Sequence, residues 1–176
     1  MSFEQRFTED EQIMLSSLPT LIGSVMSLTE GSGLGTVKEM ISSATSVMAG
    51  AKDFATNEII SGVLPSMTNM EEGMARAKEL KTKLQSQLKA HEIDSKEELR
   101  QYVIDTCKKV HDVLTGKAKQ VEADEYKKWT LNVAENVAKS ASEGGFLGFG
   151  GTQVSDSEKK LFDDIASALQ VTRNLN

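Results

Sequence analysis

The sequence predicts an all-α protein: a multi-helix bundle of about seven or eight helices, folded as one domain over residues 1–176. Three observations lead there. Among 176 residues only 2 are proline and 8 are methionine, and Ala, Leu, Glu and Lys abound; such residues lose little rotamer freedom in helices. Apolar residues recur at i, i+3 and i+4, and no run alternates as a strand would. Finally, S/T-x-x-E sequences recur where helices would start, each able to satisfy two orphan amides of a first turn.

Taken in order, Thr8 and Glu11 open the first helix, whose apolar positions Ile13, Met14 and Leu18 run up to Pro19. Proline lacks an N–H and clashes with the preceding turn, so a break or restart is expected there. A second helix then covers about Thr20 to Thr29, so rich in Leu, Ile, Val and Met that most of its circumference must be buried. After Glu30-Gly31 and a short glycine turn, Thr36 and Glu39 cap a third helix reaching about Gly50. The fourth is expected from Asp53 or Phe54 to Leu64, closed by Pro65.

From about Thr68 to Lys89 the residues Met70, Met74, Ala77, Leu80, Lys81, Leu84 and Leu88 trace a narrow stripe on a long surface helix. Ser95 and Glu98 cap its partner, which carries Leu99, Val103, Cys107, Val110 and Leu114, so residues 68–114 form a long helical hairpin. Gly116 ends or bends that helix. Helical sequence resumes from Lys117 to Ser140, with Val121, Tyr126, Trp129, Val133 and Val137 facing inward and Trp129 anchoring the core. The last helix starts at Asp156, behind the capping box of Ser155 and Glu158, and buries Leu161, Phe162, Ile165, Ala168 and Leu169.

Between those two helices lies the most unusual stretch, EGGFLGFGGTQVSDSE, residues 143–158. Its glycines allow the chain to turn tightly through positive φ. Phe146, Leu147 and Phe149 are expected to plug back between helices, since burying each contributes roughly 1.5–3 kcal/mol. The alternative is an apolar wedge offered to a partner.

Charge and composition narrow the function. A balance of 20 basic against 26 acidic residues gives a net charge of −6, which argues against nucleic acid as a partner. The lysines of 78–89 and 117–128 alternate with Glu, Gln and Asp as on a solvated face. One cysteine, Cys107, permits no internal disulfide and no cysteine zinc cluster, and its place in a helical stripe reads as core. The first residues, MSFEQRFTEDE, lack the basic-then-apolar order of a signal peptide, so cytoplasmic residence is expected. Ile13 to Leu28, the most apolar early run, is shorter and more polar than a membrane span of about 20 apolar residues, and peripheral membrane contact is not expected either.

The passages Leu21–Val47 and Val133–Leu169 share one plan: an apolar helix, Glu-Gly, a glycine turn, a Ser or Thr cap with Glu three later, and an amphipathic helix. They predict two pseudo-repeated helix-loop-helix units, with the hairpin inserted between them. At these residues the chain resembles the tellurite-resistance (TerB-like) helical family, in which an acidic-Gly turn precedes a glutamate near a helix start. The resemblance covers about a third of the chain, departs from an Asp-Gly pattern at Glu30-Gly31 and Glu143-Gly144, and does not extend to the hairpin. It implies divalent-metal binding, with Glu30 and Glu39 in one unit and Glu143 and Glu158 in the other as ligands. The end of the chain, VAKSASEGGFLGFGGTQVSDSEKK, is also similar to a group of uncharacterised bacterial and archaeal helical proteins.

Other chemistries find no pattern. Alternating Asp and Asn of an EF-hand are absent, as is the G-x-x-x-x-G-K-[ST] of a phosphate loop. A di-iron bundle needs Glu-x-x-His, but Leu88 and Lys108 stand three residues before His91 and His111. No nucleophilic triad is visible. No catalytic residue and no organic cofactor are therefore assigned. The expectation is a non-catalytic domain acting through a protein partner or self-association, using Phe146, Leu147 and Phe149 or the stripe of residues 70–88. The other reading is a divalent-cation-binding, stress-related domain.

Overall fold

A computed structural model describes residues 2–28, 51–64, 70–143 and 155–171. Among these residues there are seven α-helices and no strand, which is the all-α bundle that the apolar spacing predicts. The helices are α1 (Phe3–Arg6), α2 (Glu9–Ser27), α3 (Glu58–Val63), α4 (Met70–Ala90), α5 (Lys96–Lys117), α6 (Gln120–Glu143) and α7 (Asp156–Ala168), with a 3-10 turn at Ala51–Phe54. No described helix is long and apolar enough to cross a membrane.

The helix that organises the bundle is α2, which packs on each of the other six described helices. Leu15, Leu18, Leu21, Ile22, Val25 and Met26 are all buried. A helix covered on most sides must also hide its polar residues. The buried Ser17 and Ser24, and the half-buried Ser27, donate their hydroxyls to the carbonyls of Met14 (3.3 Å), Thr20 (2.9 Å) and Gly23 (3.0 Å) of the same helix.

Pro19 neither breaks nor restarts this helix, contrary to the expectation from sequence: α2 is continuous from Glu9 to Ser27 with Pro19 inside it. The reason lies at the far side of the core. Proline at position 19 leaves the Leu15 carbonyl without its usual backbone donor, and the Tyr126 hydroxyl of α6 donates to that carbonyl at 2.7 Å. Tyr126 and its neighbour Trp129, 5.8 Å apart edge to face, are both fully buried, so Trp129 does anchor the core.

The helix expected from Asp53 or Phe54 to Leu64 is instead split into the 3-10 turn and α3. Asn57 makes the division. Its Oδ1 accepts from the Ile59 and Ile60 amides at 3.0 Å each, capping α3. Its Nδ2 donates to the Glu122 carbonyl (3.0 Å) and Glu125 carboxylate (2.8 Å), fastening α3 to α6. Arg6 of α1 closes the same corner through Glu58 and Glu122, each at 2.8 Å. Gly62 leaves room for the Phe3 ring, because a Cβ there would lie 2.4 Å from Phe3 Cγ.

The capping boxes of Thr8 with Glu11, Ser95 with Glu98 and Ser155 with Glu158 are all formed. The box at Thr36 and Glu39, the third predicted helix, most of the first pseudo-repeat and the glycine turn of the second fall outside the described residues. Gly116 does not stop α5, which ends one residue later. α4 and α7 end in a shared way: a 6→1 bond (Ile93 to Leu88, 3.1 Å; Val171 to Ala166, 3.0 Å) closes each last turn. The left-handed position is held by Glu92 (φ 51°) and Gln170 (φ 52°) rather than glycine.

Candidate functional site

Of the predicted metal ligands and contact residues, Glu30, Glu39, Phe146, Leu147 and Phe149 lie outside the described residues. Glu143 is the last residue of α6, and its side chain also lies outside. Glu158 is 2% exposed at the start of α7. Its Oε2 accepts from the Ser155 amide (2.7 Å) and hydroxyl (2.8 Å), whereas its buried Oε1 has no hydrogen-bond partner among the described residues. No group of three or more His, Cys, Asp or Glu among the described residues is close enough to hold a metal ion.

Cys107 is buried within α5, and burial pushes its thiol up to about 12, so at neutral pH it is a small apolar filler rather than a nucleophile. Lys127 departs from expectation. It belongs to the run read as a solvated face, yet it is only 4% exposed. Burial holds its ammonium below the ordinary lysine range, partly offset by the charge of Asp124. Its Nζ lies 2.9 Å from Nδ1 of His111 on α5. A sequence signal existed: Lys127 follows Ala123 by four residues and precedes Thr130 by three, inside the buried register of α6.

A cavity of about 180 Å³ opens where α2, α4 and α5 meet. Asp10, Glu11, Met14 and Ser17 form its α2 wall, Gln87 and His91 close the end of α4, and Tyr102, Thr106 and Lys109 come from α5. The His91 and Tyr102 rings lie 5.2 Å apart. Burial raises the Tyr102 phenol above its ordinary range, so it stays protonated, with hydrogen bonding from Thr106 acting the other way. The Ser17 and Thr106 hydrogens point back into their own helices, to the carbonyls of Met14 (3.3 Å) and Tyr102 (2.7 Å). Glu11 accepts from Lys117 (2.6 Å), whose hydrogen bond holds its carboxyl below the usual range, and from the Thr8 amide (2.8 Å).

The chain matches no family model, no curated protein and no solved structure.

The surface of α4 beside this cavity also differs from expectation. Leu84 and Leu88 are buried as the stripe requires, but Met74 is 69% exposed and Ala77 is exposed too. The cause is the length of α4 relative to its support. Lys83 meets Glu9, the first residue of α2, at 2.5 Å, so the turns before Lys83 extend past the start of α2. Arg76 holds this part by donating to the Gly62 carbonyl at 2.8 Å. Val121, expected inside, is 67% exposed; at 3.6 residues per turn it stands about 140° around α6 from buried Tyr126.

Proposed function

We propose that the chain is a cytoplasmic, non-catalytic helical domain that acts through protein contact, with the outer surface of α4 as its contact face and a second copy of the chain as its occupant. The observation that carries this reading is Met74, an exposed, adaptable apolar side chain on a helix whose later stripe is buried. The i+4 row from Met74 continues through Lys78 to Thr82 and Ser86. Those hydroxyls bond to the Lys78 and Thr82 carbonyls at 3.0 Å each, which leaves small surfaces with satisfied polar groups for a partner's Met74 to cover. The charges are self-complementary as well. α4 is acidic in its first turn, at Glu71 and Glu72, and basic in its last, at Lys89, so antiparallel pairing across a two-fold axis sets opposite signs together. Sedimentation velocity over rising concentration tests it: a dimer is expected, Met74→Glu should shift it to monomer, and Glu71→Lys should restore association lost in Lys89→Glu. A monomer at every concentration into the hundreds of micromolar would end this reading.

A second reading, a divalent-cation-binding, stress-related domain of the TerB-like kind, is favoured by Glu158. Its buried, unpartnered Oε1 is an oxygen for which a cation would compensate. Glu143 would be the fellow ligand of Glu158 in its helix-loop-helix unit, with Glu30 and Glu39 the ligands of the other. Calorimetric titration with calcium, magnesium, manganese and zinc tests it, with heat and a raised melting temperature expected for one ion and lost in Glu158→Gln. No heat and no shift for any of the four removes this reading.

A further inference from the structure

We infer that the cavity between α2, α4 and α5 is a binding site for a small organic ammonium ion carrying a short apolar body. The inference rests on what its walls offer and what they have already used. The Ser17 and Thr106 hydroxyls spend their hydrogens on carbonyls of their own helices, so only their oxygens remain to meet a guest. Asp10 carries an exposed carboxylate at the mouth and makes no hydrogen bond or ion pair among the described residues, whereas the Glu11 carboxylate beside it is already paired with Lys117. The lining also holds donors, at Gln87, His91, Tyr102 and Lys109, so what marks it is Asp10, the one wall carboxylate with no cation paired to it among the described residues. An alkylammonium matches that carboxylate with a positive charge and three N–H donors, and a neutral or anionic guest brings no such charge.

The remaining wall selects the body of the guest. Tyr102 and His91 present rings 5.2 Å apart, and Met14 lies across from them on α2. Aromatic faces attract a cation and cover its hydrocarbon part, while methionine adapts to irregular shapes. A cavity of about 180 Å³ holds a single-ring or short-chain amine but no nucleotide. Lys109, at the rim, repels a bare cation and so favours a guest whose charge lies at the Asp10 end.

The test uses benzylammonium as the probe, benzyl alcohol as its uncharged counterpart of similar shape and benzoate as its anionic one. Calorimetry and chemical-shift mapping on the full chain should detect benzylammonium, with shifts at Met14 and Tyr102. Binding of benzyl alcohol and benzoate should be at least about tenfold weaker. Asp10→Asn, at an exposed position, should weaken benzylammonium about fivefold, and Tyr102→Leu by a similar factor. Met74→Glu should leave the affinity unchanged, which separates this site from the α4 contact face. Equal binding of the three probes, binding unaltered by Asp10→Asn, or no binding of benzylammonium would overturn the assignment.

Discussion

Tyr126→Phe removes one oxygen from the core, and the structure assigns it a specific cost. The hydroxyl donates at 2.7 Å to the Leu15 carbonyl, whose usual backbone donor is missing because residue 19 is proline. Tyr126 and Leu15 are both 0% exposed, so no water replaces the lost bond. A buried carbonyl left unpaired costs about 1–3 kcal/mol, which at roughly 2–4 °C per kcal/mol for a chain of this size lowers the melting temperature measurably. The decisive experiment is a double-mutant cycle by urea unfolding. Pro19→Ala gives residue 19 an N–H that can donate to Leu15, so Tyr126→Phe should cost less in that background, with a coupling of about 1–2 kcal/mol. Costs that add within about 0.5 kcal/mol, or a Tyr126→Phe variant as stable as the parent, would refute the reasoning.

Further predictions concern other joints of the bundle. Gly62→Ala should destabilise by about 1–3 kcal/mol in denaturant titration, because its Cβ would enter the Phe3 ring. Gly23→Ala should stabilise by about 0.5–1 kcal/mol in the same assay, since its Cβ would meet Val137 and Val133 at ordinary distances of 3.6 and 3.8 Å inside a helix. Asn57→Ala should cost about 2–4 kcal/mol, through loss of both the α3 cap and the bonds to α6. Lys127 has a lowered folded-state pKa through burial, so the unfolded chain binds more protons between that value and the ordinary lysine value. Stability should therefore rise as pH passes upward through that interval, and Lys127→Met should flatten the rise and be about 1 kcal/mol more stable at neutral pH, by thermal melts at a series of pH values.

Local signals in the sequence carried much of the fold. Ser95 with Glu98 and Ser155 with Glu158 mark helix starts because the side chains that satisfy the first-turn amides lie three residues apart. The buried ring of Trp129 and the buried surface of α2 follow from apolar spacing. What escaped the sequence depended on partners distant along the chain. Pro19 is tolerated because of a hydroxyl at Tyr126, and Asn57 divides a helix because Glu122 and Glu125 receive its amide. Met74 is exposed because α4 extends past α2, a matter of relative placement rather than periodicity. The cavity was invisible for the same reason: Asp10, His91 and Tyr102 come from three separate segments that only the bundle brings together.

The central claim is that α2 is the buried axis on which the other described helices close. Native-state hydrogen exchange measures this residue by residue. The amides of Leu18, Leu21, Ile22 and Val25 should exchange only through global unfolding, at the free energy found by denaturant. Exchange of those amides by local opening, at a free energy no higher than that of Lys78 to Lys83 on exposed α4, would contradict it.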